Sequence, residues 1–246
     1  MKYKTIIIYG GSSEITPHLI DEFKNECEKI ILFVRNNENK ILKKIIDNDS
    51  DKKISFNVVD LSDLSMNLKI LSEIKDSISG LIWIAGFTGQ PLNEYYDKEL
   101  LSKNLNINFF NPVIIINEIS KKIIKDSNSF ISVFTSVAGL RGRKKQLFYG
   151  SAKSGMISYL SGLRQMLDND NILVQTVIPG YMNTKPFRDG DWKAPGFLIT
   201  EPKKVAMILR KGVRNKKNII YINIFWKIIM TIINFIPEII FKKMKF

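Results

Sequence analysis

Seven short apolar runs punctuate the chain, at residues 5–9, 30–34, 54–59, 81–85, 130–135, 173–178 and 219–222. Apolar runs without polar alternation predict strands buried on both faces. Between them, near 16–27, 38–46, 64–76, 95–124, 149–168 and 202–211, apolar residues recur at helical spacing. Strands and helices in alternation predict an α/β fold: a Rossmann-type doubly wound parallel sheet in a three-layer αβα sandwich. No internal repeat, low-complexity tract or linker interrupts the pattern.

The pattern changes after about residue 217. Between residues 223 and 242 the polar positions are Asn223, Lys227, Thr231, Asn234, Glu238 and Lys242. Their steps of three and four trace one stripe along a helix, and nearly all the rest is Ile, Phe, Trp or Met. Pro237 is expected to kink or restart that helix. A narrow polar stripe with Trp226 and flanking lysines fits a helix lying in a bilayer interface, and Lys227 and Pro237 interrupt any clean span. A helix packed on the core or in an interface between copies fits the same pattern. The expected division is therefore a catalytic domain over 1–222 and a basic, amphipathic, membrane-associating tail over 223–246.

Charge sharpens this division. The net charge is +13, and residues 203–246 carry eleven Lys or Arg against one acid, Glu238. The tail region thus holds +10 and the first 202 residues +3, which predicts an anionic partner for the tail: a membrane surface, a phosphorylated substrate or nucleic acid. No nucleic-acid recognition motif accompanies the charge. The single cysteine, Cys27, cannot form an intramolecular disulfide, and the apolar run in MKYKTIIIYGG is too short for a signal peptide. A cytoplasmic protein, peripheral on the cytoplasmic membrane face, is expected. The one histidine, His18, has no second histidine to pair with, and no Cys/His cluster has metal-ligand spacing.

Candidate chemistry lies in the run FTSVAGLRGRKKQLFYGSAKSG. Ser136 ends one apolar run, Tyr149 opens a helical pattern, and Lys153 follows one turn later on the same face. An ammonium beside a phenol favours the phenolate and is expected to lower the tyrosine pKa from about 10. Such a phenol exchanges protons with a substrate oxygen near neutral pH. Arg141, Arg143, Lys144 and Lys145 lie in the same run, either facing a sugar phosphate or simply solvated. At the other end, the first strand enters YGGSSEIT and then a helix, a dinucleotide-binding context. Gly10 permits the tight turn; the backbone and the hydroxyls of Ser12 and Ser13 can face a pyrophosphate at the helix N-terminus. Arg35 follows the second strand where an acid would select NAD, which favours NADP(H). Asp60 is placed to receive an adenine amino group or to cap the helix starting near Asp63. Residues 185–200 read as a lid over nicotinamide and substrate, or as a surface loop.

Taken together, these residues resemble the short-chain dehydrogenase/reductase family over roughly residues 4–222. The resemblance rests on Gly10–Thr16, Asp60, Ala85-Gly86, Asn108 in NINFF, Ser136, Tyr149, Lys153, Pro179-Gly180 and Thr184. It implies a cofactor site that includes Gly10, Ser12, Ser13, Glu14, Ile15, Arg35, Asp60, Ala85, Gly86, Tyr149, Lys153, Pro179, Gly180 and Thr184, and no metal. It implies Tyr149 as general acid, with Lys153 lowering its pKa and holding the nicotinamide ribose. Ser136 would orient the carbonyl, and Asn108 would hold a water in a proton relay. The chain departs from the family pattern where Glu14 and Thr16 replace the later glycines of GxxxGxG, and where WIAG replaces NNAG.

Within the family, GGSSEI, the Ser136–Tyr149 run and the apolar tail resemble the branch that reduces a decaprenylphosphoryl-2-keto-pentose in cell-envelope synthesis. That resemblance implies a polyprenyl-phosphate-linked keto sugar as substrate and an oxidase as partner. The alternatives are a reductase of a soluble keto compound or nucleotide sugar, with the tail used for homo-oligomerisation, and a cofactor-binding scaffold without catalysis.

Overall fold

The computed structural model describes residues 2–88, 97–190 and 193–244. Seven parallel strands form one sheet in the order β3-β2-β1-β4-β5-β6-β9. They are β1 (Tyr3–Tyr9), β2 (Cys27–Val34), β3 (Ile54–Val58), β4 (Ile78–Trp83), β5 (Phe130–Phe134), β6 (Leu173–Ile178) and β9 (Ile219–Tyr221). The order reverses between β1 and β4, and the crevice at the carboxyl ends of these two strands is where such sheets bind ligands.

Successive residues of each strand face opposite layers. Ile6 and Ile8 pack with α1 (Thr16–Phe23), α2 (Lys40–Asp47) and α8 (Pro202–Arg214). Ile7 and Tyr9 pack with α3 (Leu64–Glu73), α5 (Asn111–Lys122) and α6 (Leu147–Met166). This is the expected doubly wound, three-layer sandwich. The edge strand β3 departs from the expectation of full burial: Phe56 and Val58 are exposed, because β3 has a neighbour on one side only.

Local chemistry moves several boundaries. α1 stops at Phe23, and a turn closed by Glu26 N–H donating to the Phe23 carbonyl lets β2 begin at Cys27, earlier than expected. β4 runs from Ile78 rather than 81 and ends at Trp83, where the Ile84 and Ala85 N–H groups both donate to the Tyr9 carbonyl. The side chains of Asn39, Asp63 and Asp97 cap α2, α3 and α4 (Lys98–Leu105).

The helix expected over 95–124 begins, among the described residues, at Lys98; residues 95 and 96 lie outside them. It is broken by a π-helical turn at Asn106–Phe110 before α5. Pro112 lacks the N–H that would donate to the Asn108 carbonyl four residues earlier, and the helix widens where that bond is missing.

The expected lid over 185–200 has internal structure. β7 (Tyr181–Met182) pairs with β8 (Ile199–Thr200), and α7 (Lys185–Arg188) lies between them; residues 191 and 192 lie outside the described residues. The tail forms α9 (Ile224–Phe235), a break at Pro237, and α10 (Glu238–Phe241). Its apolar surface is divided. Trp226 and Met230 are buried against Val137 and Ile178, with Leu140, Tyr181 and Leu198 around them. Ile224, Ile228, Ile232, Phe235 and Ile239 face outward. No helix among the described residues is long and apolar enough to cross a membrane.

Candidate active site

Ser136 follows β5, and its side chain accepts from the Ala138 N–H (3.1 Å), capping a 3-10 turn at Val137–Gly139. Two glycines let that turn lie directly on α6. A Cβ on Gly139 would stand 2.7 Å from the Lys153 backbone, and one on Gly150 would stand 2.9 Å from the Ala138 carbonyl oxygen. This close approach brings Ser136 within hydrogen-bonding reach of the Tyr149 hydroxyl. Lys153, one helical turn on, places its Nζ 5.6 Å from the centre of the Tyr149 ring and donates to the Phe134 carbonyl (3.1 Å).

The electrostatics differ from the sequence expectation. Burial pushes the Tyr149 phenol up to about 12, and the Ser136 hydrogen bond opposes that rise only in part. Lys153 is almost wholly buried, and the same loss of water pulls its ammonium down to about 8. Helical spacing predicts the pairing of the two groups, but desolvation disfavours the charged form of each and outweighs their mutual effect.

Asn108 approaches from the π turn. Its Nδ2 donates to the Phe87 carbonyl (2.6 Å) and its Oδ1 accepts from the Phe87 N–H (3.0 Å), pinning the segment after β4. A Cβ on Gly86 would lie 3.0 Å from Asn108 Oδ1 and 3.5 Å from Lys153 Nζ. Gly86 thus leaves the space on which Asn108 and Lys153 close, with Lys153 Nζ in turn beside the Tyr149 ring. The Asn108 amide also donates to the Asn104 carbonyl (3.1 Å) and to Asn104 Oδ1 (2.9 Å).

The nucleotide end lies at the switch point. Gly10 has φ +98°, and a Cβ there would come 2.9 Å from the Ala85 N atom. Thr16, in place of a family glycine, is fully buried and its hydroxyl donates back to the Gly10 carbonyl (3.0 Å). The N-cap of α1, Ile15, offers no side-chain acceptor, the Thr16 N–H already donates to the Ser13 carbonyl (3.0 Å) and Pro17 has no N–H, which leaves the His18 N–H in the first turn for an anion. Ser12 and Ser13 are half-buried beside them.

Glu14, the other departure, points away from that end. Its Oε1 accepts from the Lys185 N–H (3.1 Å) and Arg188 Nη2 (2.8 Å), tying the turn to α7. The Arg188 bond, opposed in part by burial, holds its carboxyl below the usual range. Thr184, just before α7, is nearly buried.

Arg35 is exposed beyond β2, facing Asp60 across the β2–β3 edge. The Asp60 Oδ1 accepts from the Ser62 N–H (2.8 Å) and hydroxyl (2.7 Å), which hold its carboxyl below the usual range. Asp60 therefore closes its own turn; the cap of α3 is Asp63.

Two features escape sequence reasoning. Phe33, Tyr9 and Trp83 stack across three adjacent strands, with centroids 4.2 and 4.3 Å apart, and Trp83 Nε1 donates to the Ala85 carbonyl (3.1 Å). This stack explains a tryptophan where the family pattern has asparagine. The second is the seat of the tail. Pro179 accepts from the Val137 N–H (3.0 Å), and a Cβ on Gly180 would overlap the Trp226 indole, 2.0 Å from Nε1. Trp226 Nε1 itself donates to the Leu198 carbonyl (2.9 Å). Arg141 fits neither expectation, sugar phosphate nor solvent. It donates to the carbonyls of Asn234 (3.2 Å) and Ile236 (3.1 Å), pairs with Glu238 (2.7 Å) and stacks on Phe241. Arg210 is likewise turned inward, onto Glu26 and Tyr3.

A parallel sheet with a Gly-rich turn at its switch point, and a serine, tyrosine and lysine gathered beside it, defines a nucleotide-dependent oxidoreductase. The short chain dehydrogenase family model matches residues 4–191, and the chain belongs to that family. It is an NAD(P)-dependent oxidoreductase. The chain is 23% identical over 208 residues to an uncharacterized oxidoreductase of Staphylococcus saprophyticus, covering 82% of this chain and 88% of that one. It is 25% identical over 185 residues to a 3-oxoacyl-[acyl-carrier-protein] reductase of Chlamydia trachomatis, covering 74% and 75%. Its fold matches a short chain dehydrogenase of Burkholderia cenocepacia solved in complex with NADP, with TM-score 0.78 and 17% identity over 95% of this chain and 98% of that one.

Proposed function

We propose that the protein is an NADP(H)-dependent ketoreductase that converts a keto group to an alcohol on a polyprenyl-phosphate-linked sugar. The observation that carries the reductase reading is the linked set in which Ser136 meets Tyr149, Lys153 Nζ lies beside the Tyr149 ring, and Lys153 and Asn108 close on Gly86. The residues fit a dinucleotide. The Gly10 turn leaves no room for a side chain, the N-terminus of α1 lacks a side-chain cap, and Arg35 and Asp60 stand where the adenosine end would lie. Arg35 favours the 2′-phosphate of NADP(H), and the NADP complex of the Burkholderia protein supports the same choice.

The reduced nicotinamide supplies the hydride when bound. Tyr149 gives its phenolic proton to the carbonyl oxygen as that oxygen becomes an alcohol. Ser136 donates a hydrogen bond to the same oxygen and stabilises its developing charge. The ammonium of Lys153 lowers the cost of the phenolate left behind. Asn108 holds the 86–87 backbone that floors the site.

The lipid-linked substrate is supported by the outward apolar strip of α9 and α10, which carries exposed Lys227, Lys242 and Lys243 alongside it in the same segment. That strip would lie in the membrane interface. A soluble keto substrate, with the strip used between two copies, is favoured instead by the Chlamydia relative, whose name specifies a 3-oxoacyl carrier-protein substrate.

The test is NADPH consumption, with NADH alongside, on membrane-lipid keto-sugar extracts and on soluble fractions. Tyr149→Phe should lose about 10²–10⁴-fold in rate; full activity in that variant sinks the reductase reading. Replacing Ile228, Ile232 and Phe235 together by Gln spares Trp226 and Met230. It should abolish vesicle binding and turnover of the lipid fraction while leaving soluble carbonyls unaffected. Conversion of a dimer to a monomer, with lipid turnover unchanged, points to the second reading.

A further inference from the structure

The loop before α6 and the last turn of the tail enclose a cavity of about 270 Å³. Its cations are Arg143, Lys144 and Lys242, and its apolar wall is Leu147, Phe241 and Met244. The one acid on the lining, Glu238, is paired with Arg141. Among the described residues no carboxylate lies within ion-pair distance of Arg143, Lys144 or Lys242. Arg143 gives one Nη2 bond to Gln146 (3.1 Å), but its Nε–H is buried without an acceptor. A buried, unpaired guanidinium N–H is costly, and guanidinium groups match phosphate geometry. Four of the cavity's lining residues, Gly142, Arg143, Lys144 and Leu147, belong to the segment that joins Ser136 to Tyr149.

We propose that this cavity is a phosphate-ester subsite of the substrate cleft, with the apolar wall taking the first carbons of an attached chain. Arg143 is its central ligand; Lys144 and Lys242 flank it. The proposal rests on the ketoreductase reading only in calling the cleft a substrate cleft, since binding needs no turnover. Phosphate on a lipid chain and phosphate on a free sugar share the recognising chemistry, and the apolar wall favours the lipid.

The experiment is calorimetric titration of the full chain with farnesyl phosphate, farnesol, ribose 5-phosphate and inorganic phosphate. Farnesyl phosphate should bind at least tenfold more tightly than the other three. Arg143→Gln should weaken it by about ten- to a hundredfold, the range expected for loss of a charged hydrogen bond. Lys242→Gln, on the exposed side of α10, should weaken it by a few fold and covers the case in which Arg143→Gln does not fold. Unchanged affinity in folded Arg143→Gln and Lys242→Gln overturns the site. Equal binding of ribose 5-phosphate, lost with Arg143, upholds the site and overturns the lipid source. Farnesyl phosphate binding by a protein that reduces no ketone keeps the subsite and removes the ketoreductase reading.

Discussion

Lys153 offers a thermodynamic test that needs neither substrate nor cofactor. The unfolded lysine keeps its proton up to its ordinary pKa of 10.5, whereas the buried side chain gives it up at about 8. Between these values the unfolded state binds more protons, so stability rises with pH. Below pH 8 both states hold the proton and the folded state bears the full cost of a buried ammonium. At 1.36 kcal/mol per pKa unit that cost is roughly 3 kcal/mol, and between pH 7 and 10 it falls by roughly 2.5 kcal/mol. Lys153→Met keeps the length of the side chain and removes the charge, together with the bond to the Phe134 carbonyl. Urea unfolding of both proteins at pH 7, 8, 9 and 10 isolates the term, since other titrations largely cancel in the difference. The variant should be the more stable at pH 7, by about 2 kcal/mol once a lost hydrogen bond of about 1 kcal/mol is deducted. The wild type should then gain on it as pH rises, overtaking it near pH 10. The window ends there because Tyr149, held protonated to about 12, starts to contribute in the opposite sense once the unfolded phenol ionises near 10. A difference flat within about 0.5 kcal/mol over this range would refute the claim that desolvation dominates at Lys153.

Two further perturbations probe the seat of the tail. Gly180→Ala puts a methyl 2.0 Å from Trp226 Nε1 and should cost about 1–3 kcal/mol in urea unfolding. Trp226→Leu in the same background should recover part of it, and additive losses would show that the indole is not the obstacle. Arg141→Ala removes two carbonyl bonds, the Glu238 pair and the Phe241 ring contact. It should cost about 1–3 kcal/mol and speed tryptic cleavage at Lys227, whereas an unchanged cleavage rate would mean that Trp226 and Met230 hold the tail alone.

The layering was legible because it rests on local patterning. Apolar runs in alternation with helical stretches place β1 to β6 and β9 in one parallel sheet, and the Gly10 turn sits where the strand order reverses. The pairing of Tyr149 with Lys153 follows from helical spacing, which any observer of the sequence can apply. Their protonation does not. Whether a phenol and an ammonium lower or raise each other's charge cost depends on how much water surrounds both, and that depends on Gly139 and Gly150 allowing Ser136's turn to close over α6. Helical spacing around Tyr149 does not specify that depth, because Gly139 lies outside α6 altogether.

The tail makes the same point at larger scale. Its stripe of polar residues was visible, and it led to a choice between lipid and core for all the remaining apolar positions. The helix buries one side on the core and turns the other outward. At 100° per residue Trp226 and Met230 fall on one side, and Ile224, Ile228, Ile232 and Phe235 on nearly the opposite side. The inner pair is selected by Gly180, more than forty residues away, whose missing side chain is the space the indole occupies. Arg141 then fixes the break at Pro237 by binding the carbonyls of Asn234, in the last turn of α9, and Ile236, just beyond it, and so sets where α10 lies. Because Arg141 is five residues beyond Ser136, the position of the outward strip is tied to the loop that carries Ser136. Any partner that engages the strip pulls on a segment continuous with the site.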